Sequence, residues 1–438
     1  MGNYLGSTNQ QQKDMLQTIG LANLEELYQD IPKEMLVENL AIPAGRSELE
    51  VRRILEAMGQ KNKVFSTIFR GAGAYNHYIP AIVKQVAAKE EFMTSYTPYQ
   101  PEISQGLLQS IFEYQTMICE ITGMDATNAS VYDGATAAAE AVNMCLEKKR
   151  MKVLISETTN PMTIQTIMTY FSSREIECII TPQKAGVTNL SVLKEQLDDT
   201  TACFVVQQPN YFGGIEPVEE IERLVHEINA KFVMSVNPVA STVLKTAGEV
   251  NADIAVGDSQ PFGLPMAFGG PYIGFVATKE KMIRKLPGRI AGETIDEAGN
   301  RAFVLTLQAR EQHIRREKAA SNICSNQALC ALTNAVYMST MGAAGIQQVA
   351  EQCYSKAHYL AEKLTQINGV ELGNDSTFFH EFVTKFPVAN EKILDKLEEQ
   401  DILGGYPTEQ GLLWCVTEMN TKEQMDQVVA LVKEVCEK

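Results

Sequence analysis

The chain has 438 residues, of which 45% are hydrophobic and 21% are charged, so its composition is that of a globular protein with two or three domains. This composition excludes disorder, collagen and coiled coil as the overall description. Lys and Arg number 38 against 54 Asp and Glu, for a net charge of −16, which argues against nucleic acid as a partner because phosphate contacts need clustered cations.

The remaining compositional features predict a cytoplasmic protein. The first residues are polar and lack the apolar region of a secretory signal. The uncharged runs 259–278 and 319–350 are interrupted by prolines and glycines or by amides, so no membrane partner is expected. The nine cysteines are irregularly spaced with no C-x-x-C pair, which predicts reduced thiols and no metal site.

Residues 1–65 are predicted to form an N-terminal helical extension. Apolar residues recur there at helical spacing, and Asn23 offers an N-cap before a periodic run. Ser47 and Glu50 have the spacing of a capping box, which predicts a helix that carries Val51–Met58.

Residues 66–318 alternate between short β-branched or apolar runs and longer segments with helical periodicity. The predicted strands are Val153–Ile155, Ile176–Ile180, Cys203–Val206, Phe232–Val236, Ile254–Val256 and Tyr272–Ala277. The predicted helices between them include Pro161–Phe171, Leu190–Leu197 and Val218–Ile228. Such alternation predicts a large α/β domain with a mostly parallel, helix-covered sheet.

Residues 319–438 have a different pattern, which predicts a smaller α+β C-terminal domain. The predicted helices are 326–339, 348–366, Pro387–Leu397 and Lys422–Lys433. The predicted strands are Val370–Leu372, His380–Val383 and Leu413–Val416.

Two stretches near the start of the large domain have the composition of site loops. Phe69–Pro80 (FRGAGAYNHYIP) combines glycines with polar rings and amides, which fits either a tight inter-domain turn or a loop at a site. Thr94–Gly106 (TSYTPYQPEISQG) is stiffened by two prolines and rich in hydrogen-bonding groups. It fits either a loop that positions a small molecule or a structural crossover.

Three later stretches are also candidates for functional or structural roles. Tyr132–Ala141 (YDGATAAAEA) opens an alanine-rich helix, either to bind phosphate or to pack closely on a sheet. Gly257–Pro271 follows a predicted strand, where open α/β sheets place their sites. In Arg310–Ser325, the spacing of Glu311 and Arg315 predicts a solvated, charged helix that runs into the C-terminal domain.

Taken together, these motifs resemble one family along essentially the whole chain. The stretches SYTPYQPEISQG and HIRREKAASNIC are the most specific, and FRGAGAYNHYIP, VYDGATAAAEA, QQPNYFGGIE and SQPFGLPMAFGGP agree with them. The chain resembles subunit 1, the alpha subunit, of the two-subunit glycine decarboxylases, which are the P-proteins of the glycine cleavage system.

The resemblance implies a fold, a reaction and a set of partners. The fold would be that of fold-type I pyridoxal-phosphate enzymes, with a mostly parallel large domain and a small C-terminal domain. The reaction would be the oxidoreductase step in which glycine is decarboxylated and its aminomethyl group passes to the lipoyl arm of the H-protein. The complex would be a heterotetramer of two alpha and two beta subunits, the beta subunit being subunit 2.

The residues that pyridoxal phosphate needs are missing from this chain. In the catalytic subunit the lysine lies in a His-Lys-Thr-Phe turn, whereas the matching stretch here is Ser259-Gln-Pro-Phe, so Gln260 occupies the lysine position. An amide nitrogen cannot form an imine. The acid expected at the end of the preceding strand is absent as well, because that strand end reads Met234-Ser-Val-Asn-Pro.

The resemblance therefore implies a chain with no catalytic residue of its own, which acts only in complex with a lysine-bearing partner that binds the cofactor. Sites of this fold lie at subunit interfaces, so loops of this chain are expected to complete the partner's site. The expected loop residues are Ser95, Tyr96, Tyr99, Gln100 and Glu102. Gly269 and Gly270 are expected to approach the partner's cofactor phosphate, because glycine permits close backbone approach.

Two other interpretations remain open from the sequence. The chain could be a stand-alone pyridoxal-phosphate decarboxylase or aminotransferase that uses an unrecognised lysine, for which Lys245 and Lys279 are the nearest in sequence. It could also be a purely structural subunit that only stabilises its partner.

Overall fold

The computed structural model describes residues 6–37, 41–93 and 97–437. The chain divides into two compact units, Met1–Val64 and Phe65–Lys438. The predicted division into segments 1–65, 66–318 and 319–438 remains a prediction.

The first unit is helical, with α1 (Asn9–Ile19), α2 (Glu48–Gly59) and two 3-10 turns, Leu24–Tyr28 and Lys33–Met35. The predicted capping box before α2 is present: the Ser47 hydroxyl accepts from the Glu50 N–H at 3.3 Å, and the Glu50 carboxylate accepts from the Ser47 N–H at 2.8 Å. These bonds satisfy backbone donors that the first turn of a helix leaves free.

The second unit contains the remaining elements. Its helices are α3 (Ala81–Ala87), α4 (Glu90–Met93), α5 (Gln105–Thr122), α6 (Gly134–Cys145), α7 (Pro161–Phe171), α8 (Leu190–Gln196), α9 (Val218–Glu227), α10 (Gln312–Arg315), α11 (Ala328–Thr365), α12 (Asn390–Glu398) and α13 (Lys422–Cys436). Its strands are β1 (Thr67–Ile68), β2 (Ala126–Thr127), β3 (Lys152–Ser156), β4 (Glu177–Thr181), β5 (Gln183–Lys184), β6 (Val187–Thr188), β7 (Thr201–Gln208), β8 (Lys231–Val236), β9 (Ile254–Asp258), β10 (Gly274–Thr278), β11 (Ile290–Ile295), β12 (Arg301–Thr306), β13 (Glu371–Leu372), β14 (Glu381–Lys385), β15 (Ile402–Leu403), β16 (Tyr406–Thr408) and β17 (Gly411–Cys415).

A seven-stranded sheet in the order β2-β10-β9-β8-β7-β3-β4 forms the centre of this unit. The five strands from β9 to β4 pair in parallel, and β10 runs antiparallel to both of its neighbours. The apolar residues of β3, β7, β8, β9 and β10 are buried on both faces of the sheet, as expected where helices cover both sides, whereas the edge strand β4 is only partly buried. The predicted α/β fold with a mostly parallel sheet is confirmed.

The C-terminal part forms a second, antiparallel sheet in the order β13-β14-β17-β16. Helices α12 and α13 contribute Ile393, Leu397, Val428 and Val432 to a core that also contains Trp414. This arrangement agrees with the α+β architecture predicted for the C-terminal part.

Helix α11 joins the core of the central sheet to the core of the C-terminal sheet. Its first half contributes Ala331 and Tyr337 to one core, and its second half contributes Leu360 and Leu364 to the other. Helix α11 contains a break at Gly342, where the backbone is not helical (φ 64°, ψ 172°), so its two halves correspond to the two helices predicted here. It is the one helix in the described ranges that is long and apolar enough to cross a membrane, and 50% of its most apolar 18-residue window is buried inside the molecule.

The prediction of a long charged helix from Arg310 was wrong. The segment forms only the four-residue helix α10 with 3-10 turns on either side, because Arg316 adopts a positive φ of 54° that interrupts the helix. Glu311 is buried rather than solvated.

Candidate functional site

A cavity of about 530 Å³ lies at the carboxyl ends of the parallel strands. Residues that follow β8 and β9 line it, together with the start of α6 and the loop after β1. We call it the sheet-edge cavity. Parallel α/β sheets bind their ligands at this edge. It is therefore the place to test whether this chain can hold pyridoxal phosphate.

Gln260 is buried beside this cavity and is fully hydrogen-bonded. Its side-chain oxygen accepts from the Tyr75 N–H at 2.9 Å, and its Nε2 donates to the carbonyl oxygens of Tyr75 at 2.9 Å and Leu264 at 2.7 Å. A lysine has no acceptor and could not make the first of these bonds. Gln260 thus ties the loop after β1 to the end of β9.

The same loop is held from its other side by Glu381 of β14. Its carboxylate accepts from the Ala72 N–H at 2.6 Å and from the Tyr75 hydroxyl at 2.8 Å. Burial raises the pKa of Glu381 to about 7. Gly71 to Tyr75, from the stretch predicted as either a turn or a site loop, line the cavity and are fixed by buried polar groups.

Asn237 lies where an acid for the pyridine nitrogen was expected, at the end of β8. Its Oδ1 accepts from the N–H groups of Val239 at 2.9 Å and Ala240 at 3.2 Å. Its Nδ2 is buried without a partner. An amide carries no negative charge, so it cannot keep a pyridine ring protonated.

The start of α6, where a cofactor phosphate would be expected, is covered by the chain's own carboxylates. The Asp133 carboxylate accepts from the Thr136 N–H at 2.7 Å, and the Asp258 carboxylate accepts from the Gly134 N–H at 3.1 Å. Burial raises the pKa of Asp258 to about 7, against the opposing effect of its hydrogen bonds to backbone N–H groups. A phosphate placed here would meet two carboxylates, which already occupy the N–H groups of Gly134 and Thr136.

The sheet-edge cavity therefore does not fit pyridoxal phosphate. Neither a lysine nor an arginine is among the described residues that line it. Lys245 pairs with Glu219, and Lys279 donates to the Asn251 carbonyl at 2.8 Å, so both of the nearest lysines in sequence are engaged elsewhere. The interpretation of Tyr132–Ala141 as a close-packed helix start is favoured, because α6 is buried along most of its length.

The loop expected to reach a partner is placed away from this cavity. Ser95 and Tyr96 lie outside the described residues, while Tyr99, Gln100 and Glu102 are exposed and none of these three lines the cavity. Their role at a partner's site remains a prediction.

Arg289 anchors this loop, and the sequence motifs did not single it out. This buried guanidinium donates to the Tyr99 hydroxyl at 2.5 Å and to the Cys324 carbonyl at 3.2 Å, and it lies 4.3 Å from the centre of the Tyr99 ring. It thereby joins the two most specific motifs of the sequence. The sequence offered one signal for Arg289, which is its position directly before an apolar segment. An arginine buried there needs partners for its charge.

Gly269 and Gly270 lie in an exposed loop whose backbone only glycine adopts readily. Their φ angles are 112° and 139°, and no atom lies within 4 Å of a Cβ added to Gly269. Phe268 beside them is 92% exposed. The glycines are therefore required by backbone conformation and not by packing within the chain, and their approach to a partner's phosphate remains a prediction.

Comparison with known proteins agrees with the motif resemblance. The family described as glycine cleavage system P-protein matches residues 2–432. A relative from Desulfitobacterium hafniense, described as a probable glycine dehydrogenase (decarboxylating) subunit 1, is 47% identical over 99% of this chain and 100% of its own length.

Solved structures give the same answer for the fold. The crystal structure of an inhibitor-bound glycine decarboxylase (P-protein) superposes with a TM-score of 0.92 at 39% identity, covering 99% of this chain and all of that one (100%). A sphingosine-1-phosphate lyase of Burkholderia pseudomallei, at 12% identity, a TM-score of 0.67 and coverage of 92% and 93%, shares the fold alone. These neighbours are fold-type I enzymes that depend on pyridoxal phosphate, which confirms the predicted fold class and agrees with pyridoxal phosphate as the cofactor of the family. The chain belongs to the family of glycine cleavage system P-proteins.

Proposed function

We propose that this chain is the subunit of a two-chain glycine decarboxylase that holds no cofactor itself and completes the site of a lysine-bearing partner. The observation that carries the proposal is the sheet-edge cavity, in which Gln260 replaces the lysine and Asp133 and Asp258 cover the α6 N-terminus. Relatives named subunit 1 imply that a second subunit exists. The complex would take glycine and pass its aminomethyl group to the lipoyl arm of the H-protein.

The chain's own contribution is to help bind and orient the ligands of the partner's site, from the other side of the subunit interface. The exposed loop of Tyr99, Gln100 and Glu102 presents an aromatic ring, an amide and a carboxylate to a neighbouring chain, while Arg289 of this chain holds the Tyr99 hydroxyl. We place pyridoxal phosphate in the partner's site, in a cytoplasmic assembly of two copies of each chain.

The N-terminal unit offers a surface for that partner. Val51, Leu55 and Met58 lie at helical spacing on one face of α2 and are 41%, 61% and 57% exposed. A helix face of this kind is normally buried against protein. We infer that it contacts the lysine-bearing subunit.

Absorbance after desalting tests the proposal. The isolated chain, incubated with pyridoxal phosphate, is expected to show no imine band and no glycine decarboxylation, because its cavity supplies neither the lysine nor an open phosphate site. The chain co-purified with a lysine-bearing subunit is expected to show both. A borohydride-reducible band in the isolated chain would overturn the proposal and favour a stand-alone enzyme.

Replacing Tyr99 distinguishes a site-completing subunit from a purely structural one. In the complex, Tyr99→Ala is expected to weaken binding of cofactor or glycine, or to lower turnover, by about 10-fold, which corresponds to about 1.4 kcal/mol. Tyr354→Ala serves as a control, because Tyr354 on α11 is comparably exposed, at 43% against 49% for Tyr99. Unchanged binding and turnover in Tyr99→Ala would favour the structural subunit.

A further inference from the structure

One cluster of metal-binding side chains lies outside the sheet-edge cavity. His77 comes from the loop after β1, Cys353 from the middle of α11, and Glu418 from the turn after β17. Their ligand atoms all lie within 4.8 Å of one another, and no other group of three such side chains has this property in the described part of the chain. The prediction of no metal site rested on irregular cysteine spacing without a C-x-x-C pair, and that pattern does not report on donors this far apart along the chain.

The distances within the cluster suit a small tetrahedral ion. His77 Nδ1 lies 2.8 Å from Glu418 Oε2, and Cys353 Sγ lies 3.6 Å from the same oxygen. Bonds from zinc to nitrogen, oxygen and sulfur of about 2.0–2.3 Å place neighbouring ligand atoms about 3.3–3.6 Å apart. A small outward shift of His77 would therefore admit the ion.

The cluster is buried and contains unpaired imidazole nitrogens. The side chains of His77 and Glu418 are 2% and 9% exposed, and Cys353 is fully buried. His77 Nε2 has no partner, and neither ring nitrogen of the neighbouring buried His380 has one. Because His77 Nδ1 is the nitrogen that faces Glu418, these unpartnered nitrogens lie beside the cluster and are not its ligand atoms.

A backbone group orients one of the three donors. The Tyr78 N–H donates to Glu418 Oε1 at 2.6 Å, which leaves Oε2 for the cluster. Such outer contacts are what orients the ligands in metal sites.

We propose that His77, Cys353 and Glu418 form a binding site for a divalent transition-metal ion, with zinc as the best match to a thiolate, an imidazole and a carboxylate. A fourth position remains for water. Burial raises the pKa of the Cys353 thiol well above its usual value, so the thiol is protonated without metal. Binding forms the sulfur–metal bond and releases that proton to solvent. The ion would join the loop after β1 to α11 and to the end of the C-terminal sheet.

Cobalt provides the test on the full-length chain, with no need for the partner subunit. After removal of metals with a chelator, the chain is expected to bind one Co²⁺ and to show a thiolate-to-cobalt charge-transfer band. Cys353→Ser is expected to remove the band and to lower the affinity by at least about 100-fold, at or beyond the upper end of what losing an outer contact costs. Cys436→Ser is the control, because Cys436 lies near the C-terminus away from the cluster.

Two outcomes would overturn the proposal: cobalt binding well below one ion per chain, or an unchanged band in Cys353→Ser. Glu418→Gln keeps the shape of the side chain and removes its charge, so it is expected to retain the band with at least about 10-fold weaker binding. If circular dichroism shows that Cys353→Ser does not fold, the same comparison between Glu418→Gln and the unsubstituted chain decides the question.

Discussion

Replacing Gln260 with lysine is expected to destabilise the chain and to leave it unable to bind pyridoxal phosphate. The substitution removes the acceptor for the buried Tyr75 N–H, and an unpaired buried donor costs about 1–3 kcal/mol. It also places an ammonium group where the amide is only 1% exposed, which adds a desolvation cost. We expect the free energy of unfolding to fall by about 3 kcal/mol, measured by urea denaturation.

The absorbance of the same variant reports on the cofactor. No borohydride-reducible band is expected, because Asp133 and Asp258 still cover the N-terminus of α6. Adding Asp258→Asn to Gln260→Lys separates the two causes: tighter cofactor binding in the double variant would assign the exclusion to the carboxylate. A stable imine in Gln260→Lys alone would show that the lysine is the sole missing element.

A matched control for stability is Gln352→Lys, since Gln352 is an exposed residue of α11. Its free energy of unfolding is expected to change by no more than about 0.5 kcal/mol. A similar loss in both variants would mean that lysine itself, and not the buried hydrogen bonds of Gln260, causes the effect.

Placing charges on the apolar face of α2 is expected to break the complex. In Leu55→Glu combined with Met58→Glu, two large exposed apolar side chains become carboxylates. Each apolar side chain of this size contributes about 1.5–3 kcal/mol when it is buried. The dissociation constant for the lysine-bearing subunit is therefore expected to rise by at least about 100-fold, as measured by calorimetry or by size-exclusion chromatography.

The control for this pair is Arg52→Gln combined with Arg53→Gln, which gives the same change in net charge on the same helix. Little change in affinity is expected, because rim charges mainly affect the rate of association. Equal weakening by both pairs would mean that charge, and not the apolar face, governs assembly. Unchanged affinity in Leu55→Glu with Met58→Glu would place the partner on another surface.

Local patterns were sufficient for the fold. The apolar runs that became β3, β7 and β8 are central strands covered on both faces, where burial and strand propensity act together. The capping box at Ser47 was equally readable, because its partners are three residues apart. The failed helix at Arg310 shows the limit, since the positive φ of Arg316 interrupts a segment whose charge pattern is typical of exposed helices.

Of the candidate site, only the missing catalytic groups could be predicted from the sequence. The missing lysine at Gln260 is visible in the motif, but the hydrogen bonds that occupy its amide come from Tyr75, far away in sequence. The contact of Asp258 with the start of α6 is likewise long-range and has no local signature. The contacts of Arg289 with Tyr99 and Cys324 are also long-range and have no local signature in the sequence.

The carboxylates at the start of α6 also determine how much cofactor the proposed assembly can hold. A homodimeric enzyme of this fold carries two working cavities, whereas in the proposed assembly one cavity in each pair of chains would have Asp133 and Asp258 in the place of the phosphate. The assembly would then saturate at one pyridoxal phosphate for every two polypeptides. The second cavity is thereby released from any requirement to stay open to a substrate, and its residues can be selected for rigidity alone.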